Sequence, residues 1–248
     1  MVSDRRFILL TAALAVATVT LVTGGLTYDR DRARDVTSAD TSSRDNPITR
    51  IQPDAYYDDP WVYFIGDDYT DGKDFRSGQQ STWINLVGSA RDWYPRNIGI
   101  SGAGYATSAS NGNSFIDQIE KSNLSDADAI VISGGLNDAI SETPIEIIGS
   151  RISQAMTRIR AVAPKTPLTI VSVFNPQVYV PERINAINSK LEAEARRVGA
   201  VYVYASNLLK GDPSLVAPDN FHATAEGHAH IAQALAPQIA PPNPGTRK

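Results

Sequence analysis

The sequence predicts an α/β protein, a three-layer α/β/α sandwich around a five-stranded parallel sheet. Three observations carry this prediction. Five short runs are continuously apolar rather than alternating, which is the pattern of strands buried on both faces. Stretches with helical apolar spacing lie between them. Polar or glycine-rich loops follow the strand ends, where parallel sheets place their ligands.

The elements follow in order. "WVYFIG" (61–66) ends in glycine and reads as the first buried strand. "STWINLVGSA" (81–90) has helical spacing, with Ser81 as candidate cap. "RNIGIS" (96–101) is expected as the second strand, and "NSFIDQIEKS" (113–122) as a helix capped by Asn113. "DAIVISGG" (128–135) is the third strand. Residues 143–162 form a long amphipathic helix with Pro144 in its first turn, where a missing N–H costs little. "PLTIVSVF" (167–174) is the fourth strand, residues 182–199 a helix ending at Gly199, "AVYVYAS" (200–206) the fifth strand, and "TAEGHAHIAQALA" (224–236) the last helix.

The segments outside this alternation read differently. Arg5 and Arg6 precede the uncharged run from Phe7 to Val22, the layout of an export signal or signal-anchor. No Ala-x-Ala cleavage site follows it, so residues 1–27 are read as an uncleaved anchor, with a cleaved signal or a buried helix as the alternatives. The positive-inside rule then keeps the arginines cytoplasmic and exports the rest. The expected location is the cell membrane with an extracytoplasmic domain, or secreted. Residues 28–59 are charged and rich in Ser, Thr and Asp without apolar periodicity, and read as a linker. Residues 60–237 form the folded domain, and 238–248 a loose Pro-rich tail.

Composition excludes several chemistries. There is no cysteine, so no disulfide, thiolate metal site or cysteine nucleophile. A net charge of −4 without a basic face gives no nucleic-acid footprint. The acidic loop Asp67/Asp68/Asp71 with His222 could collect a cation, but no spacing demands one.

Four loops together resemble the SGNH (GDSL-type) hydrolase superfamily of esterases, lipases and carbohydrate acyl-ester enzymes, over roughly residues 61–236. That family reads Gly-Asp-Ser after the first strand, and here the residues are Gly66-Asp67-Asp68. Its second block supplies a glycine, matched by Gly102 in "ISGAGY". Its third reads Gly-x-Asn-Asp, matched by Gly135-Leu136-Asn137-Asp138, and its last Asp-x-x-His, matched by Asp219-Asn220-Phe221-His222. The resemblance implies a flavodoxin-like sheet, no cofactor, and an acyl-ester or acyl-donor substrate with a saccharide hydroxyl as one acceptor. It also implies residue roles. His222 is the general base, oriented by Asp219. The side chain of Asn137 and the backbone N–H groups of Gly102 and Asp68 point at the developing oxyanion. Asp67 is expected to accept loop N–H bonds, Asp71 and Asp74 to be solvated, His228 and His230 to be surface or packing residues, and Trp83, Tyr94 and Tyr105 to be core or pocket aromatics.

The departure is Asp68, which takes the serine's place without a gap, and no other serine reaches the same point. Three readings follow: His222 activates water or an acceptor hydroxyl directly, Asp68 itself attacks and forms an anhydride, or the domain binds acylated sugars or lipids without turnover. An ionised Asp68 would occupy the oxyanion donors and repel the developing charge by about 4 kcal/mol at ~4 Å and an effective dielectric near 20. It would also favour the imidazolium form of His222. Weak activity on short-chain aryl esters is therefore expected.

Overall fold

A computed structural model describes residues 59–72, 81–176 and 181–243. The expected N-terminal anchor and linker lie outside these residues, as does Asp74. The chain order is β1 (Trp61–Gly66), α1 (Asp68–Asp71), α2 (Trp83–Arg91), β2 (Tyr94–Asn97), α3 (Phe115–Glu120), β3 (Ala129–Ser133), α4 (Leu136–Ile140), α5 (Ile145–Val162), β4 (Leu168–Val171), α6 (Pro181–Val198), β5 (Val201–Val203) and α7 (Ala225–Leu235). The five strands form one sheet in the order β2-β1-β3-β4-β5, parallel throughout. Helices α2 and α7 pack together, while α5 packs on α3 and α6. The central strands are buried on both faces: Val62, Phe64, Ile65, Ile130, Val131, Ile132, Ile170 and Val171 have no exposed surface. That explains why their sequences are continuous apolar runs.

The second strand lies earlier than expected. The ladder runs from Tyr94, paired with Trp61, to Asn97, paired with Phe64. It is an edge strand, half-exposed, and it tolerates Pro95, which a central strand would not. The apolar residues that suggested a strand at 96–101 continue beside β1 but leave the regular ladder. Ile98 and Ile100 still donate to Phe64 and Gly66, while Gly99 donates instead to the Asn97 side chain.

Helix starts also shift. Ser114, not Asn113, begins α3: the Asp117 carboxylate accepts from both the Ser114 backbone N–H and its hydroxyl. Thr82, not Ser81, is the residue before α2. Pro144 precedes α5 rather than entering it. The C-terminal stretch is not loose at its start. Ile239 is buried, Ala240 donates to the Thr169 hydroxyl, and Asn243 donates to the Asp128 carbonyl.

Two short helices complete the frame. Both α1 and α4 start two or three residues beyond the carboxyl end of a neighbouring central strand, β1 and β3 respectively. The end of β1 is pinned by Gln118 of α3, whose side-chain amide accepts from Gly66 N–H at 3.0 Å and donates to its carbonyl at 2.9 Å. Anchoring the strand end in this way fixes where the α1 turn begins.

Candidate active site

The loop after β1 puts its two aspartates to opposite uses. Asp67 points inward and is fully buried. Its carboxylate accepts from Tyr69 N–H at 3.3 Å and Gly135 N–H at 3.2 Å. Burial first, and then the neighbouring charge of Asp68, push its pKa up to about 8, so it holds a proton at neutral pH. Gly134 makes this approach possible: its φ is +134°, and an added Cβ would lie 2.6 Å from the Asp67 carboxylate. Asp68 faces the other way. Its Oδ2 accepts from Asn137 Nδ2 at 2.8 Å and from Gly102 N–H at 3.1 Å.

The remaining parts converge on the same carboxylate. His222 Nε2 stands 3.7 Å from Asp68 Oδ1, an ion-pair separation rather than a hydrogen bond. His222 Nδ1 meets Asp219 Oδ2 at 2.7 Å. The other oxygen of Asp219 accepts from the N–H groups of Phe221 and His222, and Asn220 turns the loop with a φ of 59°. Gly102, at φ +80°, adopts the left-handed conformation that aims its N–H at Asp68. Asn137 is held by α4 and donates a second bond to the Ala103 carbonyl at 2.9 Å.

The electrostatics follow from these contacts. Pairing with Asp68, opposed by partial burial and supported by Asp219, raises the His222 pKa to about 9. Burial would raise the Asp68 carboxyl, but His222, Asn137, Gly102 and its own backbone N–H outweigh it and hold it below the usual carboxylate range. Asp219 is held down to about 2: its partial burial works against the shift, and the His222 ring with the two loop N–H groups outweighs it. At neutral pH the three groups therefore form an anion–cation–anion row, with the Gly102 N–H and the Asn137 amide already occupied by Asp68.

The structure thus brings together Asp68, Gly102, Asn137, Asp219 and His222. Asp71 is not simply solvated; its carboxylate accepts from the N–H and the hydroxyl of Ser101, at 3.0 and 2.7 Å, and so braces the residue before Gly102. Asp67 and Asp71 each turn away from the Asp68 carboxylate to partners of their own. Among the described residues no group of three or more His, Asp or Glu is placed to hold a metal ion. His228 packs in the interior, where its Nδ1 accepts from Trp83 N–H at 3.3 Å and burial lowers its pKa to about 4. Trp83 and Tyr105 are core residues, and Tyr94 is half-buried.

Sequence reasoning gave no role to two supports of the site. Asp138 is fully buried, and its carboxylate accepts from the N–H groups of Tyr105, Ala106 and Thr107 and from the Thr107 hydroxyl, at 2.7 to 3.0 Å. It ties the helix carrying Asn137 to the loop after Gly102. Its place in the Gly-x-Asn-Asp block was the available signal. Arg183 donates to the carbonyls of Asp138, Ala139 and Thr143 and closes the end of α4. No sequence signal distinguished it from other helix-surface arginines.

Comparison with known proteins agrees with this geometry. Over 191 residues the chain is 28% identical to a GDSL lipase of Mycobacterium tuberculosis, covering 72% of this chain and 80% of that one. The fold is similar to a lipolytic protein of the G-D-S-L family from Desulfitobacterium hafniense, with a TM-score of 0.60 at 16% identity, covering 73% of this chain and 100% of the other. It is also similar to a carbohydrate acetylesterase from Sinorhizobium meliloti, with a TM-score of 0.61 at 15% identity over 72% and 97% of the two chains. Residues 64–230, which include all five converging residues, match the GDSL-like lipase/acylhydrolase family, and the chain, an SGNH-type hydrolase, belongs to it.

Proposed function

We propose that this SGNH-type hydrolase acts on ester-linked acyl groups of saccharides, glycolipids or lipids outside the cytoplasm. The acyl group passes to water or to a saccharide hydroxyl. The observation that carries this reading is the convergence of the Asp219–His222 pair and the Gly102 and Asn137 donors on one point, now filled by Asp68 Oδ2. The uncharged apolar run that follows Arg5 and Arg6 supports the extracytoplasmic location, and the carbohydrate acetylesterase among the similar structures supports the substrate class.

In this reading the substrate carbonyl oxygen displaces Asp68 Oδ2 from the two donors. Neutral His222 takes a proton from water or an acceptor hydroxyl as its oxygen bonds to the carbonyl carbon. The charge that moves onto the carbonyl oxygen is received by Gly102 N–H and Asn137. Collapse breaks the ester bond, and the leaving alkoxide takes the proton from the imidazolium, which Asp219 has stabilised. Direct attack leaves no acyl group on the protein. With a His222 pKa of about 9 the base is scarce at neutral pH, so turnover is slow there and rises with alkaline pH.

A second reading is favoured by the occupied donors: the domain binds an acylated ligand and does not turn it over. Incubating the full-length chain at pH 9 with an acetylated oligosaccharide separates the two. Acetate release that His222→Ala abolishes, with no acyl adduct in the intact mass, supports direct attack. A stable adduct on Asp68 would show nucleophilic attack instead. Saturable binding without release, unchanged in His222→Ala, would sink the enzymatic reading.

A further inference from the structure

The loop bearing His222 must be held at a fixed distance from Asp68, and the contacts of Asp219 do not do this. They join Asp219 to Phe221 and His222 and set the shape of the loop from within. A tie to the body of the domain comes from Tyr69, the residue after Asp68. Its hydroxyl donates to the Phe221 carbonyl at 2.5 Å, across 152 residues of sequence.

Tyr69 is well placed to act as a rigid strut. It lies in α1 with only 2% of its surface exposed, and its backbone N–H is fixed by Asp67. Its ring centroid stands 5.1 Å from that of Phe174, at 38°. Phe174 meets Trp83 edge-on at 6.3 Å, and Trp83 meets Phe64 of β1 edge-on at 5.4 Å. The tyrosine ring therefore rests on an aromatic column that reaches the central sheet. At the other end, Phe221 is bonded on both sides: its N–H by Asp219, its carbonyl by Tyr69. Its ring also stands edge-on to the His222 imidazole at 5.0 Å.

We infer that Tyr69 is a positioning residue, whose hydroxyl holds the Phe221 carbonyl and thereby fixes the His222 ring over the group at position 68. The turn that carries residue 68 thus also sets where the base stands, so the two halves of the site keep their spacing. This rests on the reading of His222 as the base, but its test does not need turnover.

The experiment is an NMR titration of the His222 ring in the full-length chain and in Tyr69→Phe, which keeps the ring and removes the hydroxyl. The expected result is a His222 pKa lower by about half a unit or more, because Asp68 is its strongest pairing partner and the spacing relaxes. A pKa unchanged within about 0.1 unit would reduce Tyr69 to a packing residue and overturn the inference. In the unmodified chain, the Tyr69 hydroxyl proton should exchange slowly and show contacts to Phe221. Exchange as fast as that of free tyrosine would overturn it without any variant. In an Asp68→Ser background, adding Tyr69→Phe should lower kcat about fivefold with little change in KM. A rise in KM alone would count against it. If Asp68→Ser is itself inert, the acyl-ester reading fails, while the titration still decides the role of Tyr69.

Discussion

Asp67 and Asp68 are adjacent in the chain and share one loop, yet the fold drives them to opposite charge states. The underside of the loop is dry: Asp67 is buried beneath Gly134 and Gly135 and its pKa rises to about 8. The upper face holds donors and a cation, which keep Asp68 ionised although it too is largely covered. Two N–H bonds do not hold Asp67 in its ionised form, whereas two donors plus an imidazolium hold Asp68 in its own. Burial without a countercharge neutralises a carboxylate, and burial with one fixes it as an anion.

The largest effect that tests this contrast concerns stability. Asp67 keeps in the folded state a proton that the unfolded chain gives up near pH 3.8. Its contribution is fully present below pH 3.8 and is lost as the pH rises through about 8. The loss is up to about 1.4 kcal/mol per pH unit, or about 6 kcal/mol at most across the window. Asp67→Asn keeps the neutral shape and has no proton to lose. Denaturant unfolding of the two chains between pH 4 and pH 9 should show the variant holding its stability in the range where the native chain declines. Parallel declines would mean that Asp67 is ionised in the fold and that the contrast with Asp68 is wrong.

Next comes the upper face. If the Asp68 carboxylate blocks the donors, removing it should release them. About 4 kcal/mol of repulsion corresponds to roughly a thousandfold in rate. Asp68→Ser should therefore hydrolyse a short-chain acyl ester about 10³-fold faster than the native chain at pH 8. A serine variant that folds normally and stays as slow would place the limit elsewhere than in the occupied donors.

How far the sequence displayed all this differs between frame and site. The β/α alternation was legible because central strands buried on both faces must be continuously apolar. The edge strand was not: β2 reads Tyr-Pro-Arg-Asn, and one exposed face removes the apolar constraint. Asp68, Gly102, Asn137, Asp219 and His222 were legible because each stands in a short block at a strand end or before the last helix. Asp138 stood in a block but without a role, since a buried carboxylate that collects the N–H groups of 105–107 leaves no mark in residues so far along the chain. Tyr69 and Arg183 act through backbone carbonyls, which any residue can present, so no partner residue betrays them. The opposed charge states of Asp67 and Asp68 were invisible for the same reason: the letters are identical and only the surroundings differ.

The third test follows the pairing of Asp68 with His222 through pH. The raised His222 pKa means the neutral base dominates only above pH 9. Asp68→Asn removes the strongest upward cause and leaves Asp219 in place. The imidazole pKa, read by NMR, should fall by roughly one unit, and the rising limb of any pH–rate profile should move down with it. For stability the sign is the reverse of a gain at high pH. The native pairing helps below pH 6.5 and its help fades as the pH rises through 9. A pKa that stays near 9 in the asparagine variant would make Asp219 the dominant partner.

The smallest effect is expected at the second histidine, and it sharpens the comparison by extending it. His228 lies six residues beyond His222, on α7, yet its environment is the dry kind that Asp67 occupies. Burial lowers its pKa to about 4, so between about pH 4 and pH 9 it is neutral while His222 is charged. A neutral ring places no charge on its neighbour, and its visible task is to accept the Trp83 N–H at 3.3 Å. Glutamine can also accept there, so His228→Gln should shift the His222 titration by less than about 0.2 unit. It should also remove the loss of native stability that protonating a buried neutral histidine causes as the pH falls from 6.5 towards 4. A larger shift at His222 would mean that His228 carries charge in the fold, and the division into a dry interior and a charged upper face would then fail at its histidines as well as its aspartates.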